Sequence, residues 1–200
     1  MAILTYPSSI LPEIHEFGIK YNTQVSTSSI NGVTQRVELP GARWLGSLSF
    51  RDLTPTESAT LKAFLLELRG SSGSFFFGDL SHTSPFNTVT GSPTVETGST
   101  ARIVRTTVSS GSFSPGDYIQ IGADDQRELK MVVSSSLVGG NTYDLVVEPM
   151  IRRTDYIGLS ITYSNPKGVF FLTENDQAKW SIRSKAQLQD ISIQFIELFL

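Results

Sequence analysis

Residues 190–200, DISIQFIELFL, place Ile191, Ile193 and Phe195 on one face of a strand and then turn apolar on both faces toward Leu200. Water cannot line either side of such a strand, so another part of the chain has to cover it. Three earlier segments offer strands: EFGIKY (16–21), TQRVELP (34–40) and ARWLGSLSFR (42–51), the last with Trp44, Leu48 and Phe50 alternating onto one side. A fourth segment, LTPTESATLKAFLLELRG (53–70), changes period. Thr54 is placed as an N-cap, Pro55 at the first helical position and Glu57 where it closes a capping box. Leu61, Phe64, Leu65 and Leu68 follow on one helical stripe, which predicts a helix over 55–69 ending at Gly70.

Between these parts lies a different pattern. SHTSPFNTVTGSPTVETGST (81–100) is dominated by Ser, Thr, Gly and Pro and reads as turns and a connecting segment. From Ala101 to Tyr163 five short strand signals follow (ARIVRTTV, DYIQIG, ELKMVVSSS, YDLVVEP and YIGLSITY), with no helical period among them. In DYIQIG, Ile119 and Ile121 point to one face and Tyr118 and Gln120 to the other, as in a half-buried strand. Five such strands suit a small barrel of the oligonucleotide/oligosaccharide-binding (OB) type. The expected fold is mainly β with one amphipathic helix. Residues 1–87 and 167–200 form one discontinuous sandwich- or barrel-like domain, and 88–166 form an inserted OB-like module. Replacing that module with a short linker is expected to leave the rest folded, since loop closure costs little extra with length.

Composition excludes several functions. Without cysteine there is no disulfide, thiol nucleophile or thiolate metal site, and no apolar run approaches a membrane span. No secretory signal is read at the N-terminus. The formal charge of −3, and eight Asp or Glu against six Lys or Arg over 88–166, disfavour a nucleic-acid groove. His15 and His82 lack ligand spacing and read as packing or surface residues, so no metal or cofactor is expected. Asp124-Asp125 reads as a solvated turn rather than a glycosidase pair, no Gly-x-Ser-x-Gly elbow occurs, and Gly139-Gly140-Asn141 reads as a hairpin turn. No catalytic residue is identified. The barrel could still present aromatic rings to a sugar, with Tyr118, Tyr143 and Tyr156 as the contacts and Arg102, Arg105, Lys130, Arg152 and Arg153 nearby.

The order of RWLGSLSF, the capped helix TPTESATLKAFLLELRG, FFFGDL, a β insertion carrying SPGDYIQIG, and the return GVFFLTEND…WSI…DISIQFIELFL resembles the distal tail proteins of long, non-contractile-tailed bacteriophages. The resemblance covers nearly the whole chain. It implies a structural virion protein, made in the host cytoplasm, whose first domain forms a ring, of six copies in that family, around the tail channel. Its partners would be other copies of itself, the tail-tube protein and tip, hub or fibre proteins, with DNA passing through without specific binding. The alternative is a carbohydrate-binding module that touches the host surface.

Overall fold

A computed structural model describes residues 3–183 and 188–199. The strands β1 (Leu4–Thr5), β2 (Ile14–Thr27), β3 (Thr34–Leu53), β4 (Phe75–Phe77), β10 (Gly168–Leu172), β11 (Trp180–Arg183) and β12 (Leu188–Glu197) make one curled sheet in the order β1-β4-β10-β12-β3-β2, with β11 on β12. Between β4 and β10 in the chain come β5 (Ile103–Thr107), β6 (Tyr118–Ile121), β7 (Glu128–Gly139), β8 (Thr142–Glu148) and β9 (Ile161–Thr162). These form a second sheet in the order β5-β8-β7-β6-β9. The fold is mainly β with one helix, α1 (Pro55–Leu68).

The hydrophobic terminal strand finds its cover between β10 and β3. Ile191 lies opposite Phe50, Ile193 opposite Leu48 and Phe195 opposite Gly46, which puts all three on the face that carries Trp44. Phe17, Phe75, Phe77, Phe170 and Phe195 form a continuous aromatic layer there, with Phe77 and Phe195 edge to face at 4.9 Å. Helix α1 closes the layer: Leu61, Phe64, Leu65 and Leu68 are buried in it, and buried Ser58 donates to Gln189 Oε1 at 2.5 Å. Thr54 and Glu57 form a reciprocal capping box at its start. The helix stops one residue earlier than its spacing predicts, because Arg69 turns left-handed at φ 53° and its N–H bonds Leu66 O. Gly46 is the tightest point of the layer. A Cβ there would lie 2.5 Å from the Phe195 ring and 2.7 Å from the Glu16 carbonyl, so only glycine lets the ring cross β3.

TQRVELP and ARWLGSLSFR, read separately in the sequence, are one strand. Pro40 is tolerated because it falls in the irregular stretch between Leu39 and Arg43, where neither β2 nor β12 pairs with it. The register shift between Lys20 and Asn22 bends the pair at the same place.

The connecting segment of the sequence reading is a working part of the barrel. Val95 N–H bonds Leu159 O, Ile161 N–H bonds Pro93 O, and Glu96 N–H bonds Arg105 O, so residues 93–96 bridge the edges beside β9 and β5 and close the sheet on itself. Val95 joins Val104, Ile119, Ile121, Val132, Leu145 and Val147 in the barrel core.

Gly46→Ala is expected to lower stability by about 1–3 kcal/mol through overpacking. Thr54→Ala should cost about 1 kcal/mol through loss of the cap. Urea titration of each variant measures both, with Phe195→Ala, at about 3–5 kcal/mol, as the reference for a full cavity.

Candidate assembly interface

Beyond the curled sheet, β2 and β3 continue as a two-stranded arm. Every residue from Lys20 to Pro40 is exposed, and Thr27 pairs with Thr34 at the tip. Six paired residues from Asn22 to Thr27 carry it about 20 Å from the sheet at a strand's usual rise. Tyr21 to Gln35, YNTQVSTSSINGVTQ, contains no charged residue, and Ile30 at the turn is 96% exposed. β2 is also the edge strand, so its outer N–H and C=O groups have no ladder partner among the described residues. Monomeric proteins usually blunt such an edge with charges, prolines or bulges, and a lone two-stranded ribbon is marginal in water. This arm has little of that protection. The sequence signal for it is the long uncharged run, which strand periodicity alone does not single out.

Among the described residues, one ion pair ties the arm to the barrel. Arg102, at the start of β5, pairs with Glu38 on the arm and, at 3.2 Å, with Glu148 in the barrel. Its direction therefore depends on how the barrel sits on the sheet, and that is fixed by a buried junction. β6 and β7 lie between two cores. Ile119 and Ile121 face the barrel interior, while Tyr118, Leu129 and Met131 pack into the aromatic layer of the curled sheet. Trp44 Nε1–H donates to Leu129 O at 2.8 Å, and its ring lies 5.6 Å from that of Tyr118. Beside it, Arg152 Nη2 donates to Glu197 Oε2 at 2.7 Å and to Ala42 O at 2.8 Å, and Trp44 N–H donates to the same Glu197 oxygen at 3.1 Å.

The network continues into Glu128, which accepts from Lys130 Nζ at 2.7 Å and from Arg152 N–H at 3.2 Å. Lys130 is fully buried, with Met150 O as a further acceptor at 3.2 Å. Burial pulls its pKa below the ordinary lysine value against the opposing pull of Glu128 and Glu197. Burial also works against the Glu128 carboxylate, but Lys130 and the Arg152 amide outweigh it and hold its pKa below the usual carboxylate range.

Trp44, Leu48, Phe50, Leu61, Phe64, Leu65, Leu68, Ile191, Ile193 and Phe195 come together in the sheet core, and Ile119 and Ile121 in the barrel core. The three tyrosines named as sugar contacts are each partly buried. Tyr118 packs inward against Trp44, Phe17 and His82, and Tyr143 and Tyr156 lie partly buried against the barrel core. The five nearby cations are engaged as well. Arg105 forms a bidentate pair with Asp144, both bonds at 2.7 Å, and Arg153 pairs with Asp155, while Arg102, Lys130 and Arg152 belong to the brace and the junction. Asp124 and Asp125 sit in a short 3-10 turn. Among the described residues, no three His, Cys, Asp or Glu side chains converge as a metal-ligand set.

The two histidines flank the crossing from sheet to barrel. His15 Nδ1 lies 3.7 Å from Asp79, and its buried Nε2 has no hydrogen-bond partner among the described residues. Burial lowers its pKa below 6.5, only partly offset by Asp79. The native state therefore favours the neutral ring. That contribution is fully present above pH 6.5 and is lost as pH falls through the lower native value.

His15→Phe is accordingly expected to flatten the fall in urea midpoint between about pH 7 and pH 5 relative to the parent. Arg152→Met and Glu197→Leu should each cost about 3–5 kcal/mol, and the double replacement less than their sum, because one buried charge left alone is worse than neither. The junction also revises the expectation for the excised chain. Removing 88–166 strips Leu129 from the aromatic layer and leaves the Trp44 indole N–H without its acceptor and buried Glu197 without its counter-ion Arg152. The shortened chain is expected to lose cooperative melting rather than only pay a loop-closure term.

Compared with known proteins, the chain matches no family model and no curated protein.

Proposed function

We propose that this chain is a structural, non-enzymatic component of the distal tail of a long, non-contractile-tailed bacteriophage, where copies of it form a closed ring between the tail tube and the tip proteins and leave a passage for DNA. The arm is the observation that carries the reading: a long ribbon with an open edge, exposed on both faces from Lys20 to Pro40 and uncharged from Tyr21 to Gln35. A surface of this kind suits permanent burial against a second copy. A ring needs two different patches on each subunit, related by a rotation that closes. The arm supplies one, and an uncovered face of the curled sheet beside it, where Gly18, Leu45 and Ile196 line up across three strands, offers a surface for the other. Backbone pairing along an edge strand combined with apolar contact on such a face resembles strand addition as a recognition mode. The resemblance in element order described above supplies the virion setting and the number six.

The mechanism on this reading is geometric. Each subunit holds its arm at a set angle, the angle sets the rotation between neighbours, and the rotation sets the number of copies. The net charge of −3 fits a conduit that does not hold DNA by counterion release.

The test is native mass spectrometry and negative-stain imaging of the full chain beside a variant in which residues 23–38 are replaced by a two-residue Asn-Gly turn. The parent is expected to form rings with a central hole, alone or with tail-tube protein. The variant should melt cooperatively as a monomer. A parent that stays monomeric in both conditions, or a variant that still closes into the same ring, would overturn the reading.

A further inference from the structure

Asp117 is fully buried, and its hydrogen bonds converge on a ring at the surface. Oδ1 accepts from Phe86 N–H at 2.8 Å and lies 3.1 Å from His82 Nε2, while Oδ2 accepts from Ser114 N–H at 2.7 Å. The His82 ring stacks on Phe86 with centroids 4.1 Å apart and planes 30° apart. Gly116, at φ +96°, approaches the same ring so closely that a Cβ would lie 3.3 Å from it. The backbone of Phe86 is thus held by a buried carboxylate and its ring by the half-buried His82 and Gly116, yet the residue is 68% exposed and belongs to neither hydrophobic core. A buried carboxylate is costly unless hydrogen-bonded, and here two of its partners, the Phe86 N–H and the His82 ring, hold the backbone and one face of an exposed aromatic residue.

Phe86 shares an open cleft of about 280 Å³ with Tyr163, Ser84, Asn87, Thr88 and Ser164. Tyr163 is held by its hydroxyl, which donates to Gly91 O at 3.0 Å, and by an edge contact with Phe113 at 6.0 Å. Asn87 donates to Ser114 Oγ at 2.8 Å, which leaves its carbonyl oxygen as an acceptor. Among the described residues, no charged side chain lines the cleft.

We propose that this cleft binds one pyranose ring of a neutral glycan, stacked on Phe86. The ligand class follows from the lining. The C–H face of a sugar needs a flat aromatic surface held in place, and its hydroxyls need neutral donors and acceptors at the rim. A phosphate or carboxylate would call for a cation that the cleft does not have. The volume lies below the usual range for drug-sized ligands of roughly 300–1,000 Å³, which suits a single ring. One such contact gives an affinity of about 1 mM, and several copies on one assembly would raise it by avidity. The proposal does not depend on the tail reading, since a monomer carries the whole cleft.

Saturation-transfer NMR on the full chain with maltotriose, cellotriose, mannotriose and chitotriose, each at about 10 mM, is the test, with binding of at least one expected. Phe86→Ala, which removes an exposed side chain and should melt as the parent does, is expected to weaken that binding about tenfold or more, or ~1.4 kcal/mol. Phe86→Trp should retain it. No saturation signal from any of the four sugars, or a signal that Phe86→Ala leaves unchanged, would overturn the proposal. A change in oligomeric mass on Phe86→Ala without any sugar signal would overturn it too, and would identify the ring as a protein contact.

Discussion

The hydrogen bond from the Trp44 indole to the Leu129 carbonyl joins the two sheets at the centre of the molecule. Around it, Tyr118, Leu129 and Met131 complete the aromatic layer of the curled sheet from the barrel side, so the two cores meet through a single pair of strands. The charges beside it work through their partners. Glu197 and Lys130 are too deeply buried to be solvated, and each is tolerated only while Arg152 and Glu128 stay in place. Buried ion pairs seldom add net stability, but displacing one partner is expensive. The arrangement therefore resists rotation of barrel against sheet more than it strengthens either.

That rigidity gives the arm its meaning. The ribbon beyond Lys20 has no core of its own and touches the rest of the chain through the Arg102–Glu38 pair, whose anchor is in the barrel. A loosely hinged barrel would let the arm sweep a wide cone. With the junction locked, the arm, the open edge of β2 and the uncovered sheet face keep fixed relative directions, as a repeating contact requires. The crossing segment that holds Phe86 reaches the same junction, against Tyr118 through His82. One rigid centre thus orients two separate surfaces.

Local chemistry made much of the fold legible. The capping box at Thr54 and Glu57, the stripe from Leu61 to Leu68 and the alternation of Ile191, Ile193 and Phe195 each depend on neighbours a few residues away, and the structure has each of them as the spacing predicts. The burial of Ile191, Ile193 and Phe195 was legible for a similar reason, since an apolar face has few ways to be satisfied, whereas the face that carries Ile196 stays uncovered. The sheet-to-barrel junction and the Phe86 cleft were not legible, because their parts come from distant positions: Trp44 with Leu129, Arg152 with Glu197, and Phe86 with Asp117.

Tyr118 marks the boundary between the two kinds of information. Its sequence context gives a strand with one apolar and one polar face, and on that pattern the polar side belongs to solvent and to a possible sugar. Packing against Trp44 turned that side into a second buried face, and residues 93–96, with the composition of a linker, became the segment that closes the barrel. The sequence by itself determined which segments are strands, where the helix begins and that the final strand must be covered, because periodicity and capping are local. Only the tertiary structure decided which face of β6 meets water, which charges are buried and where an aromatic ring stays exposed. Those outcomes depend on what lies opposite each side chain, and no local pattern carries that.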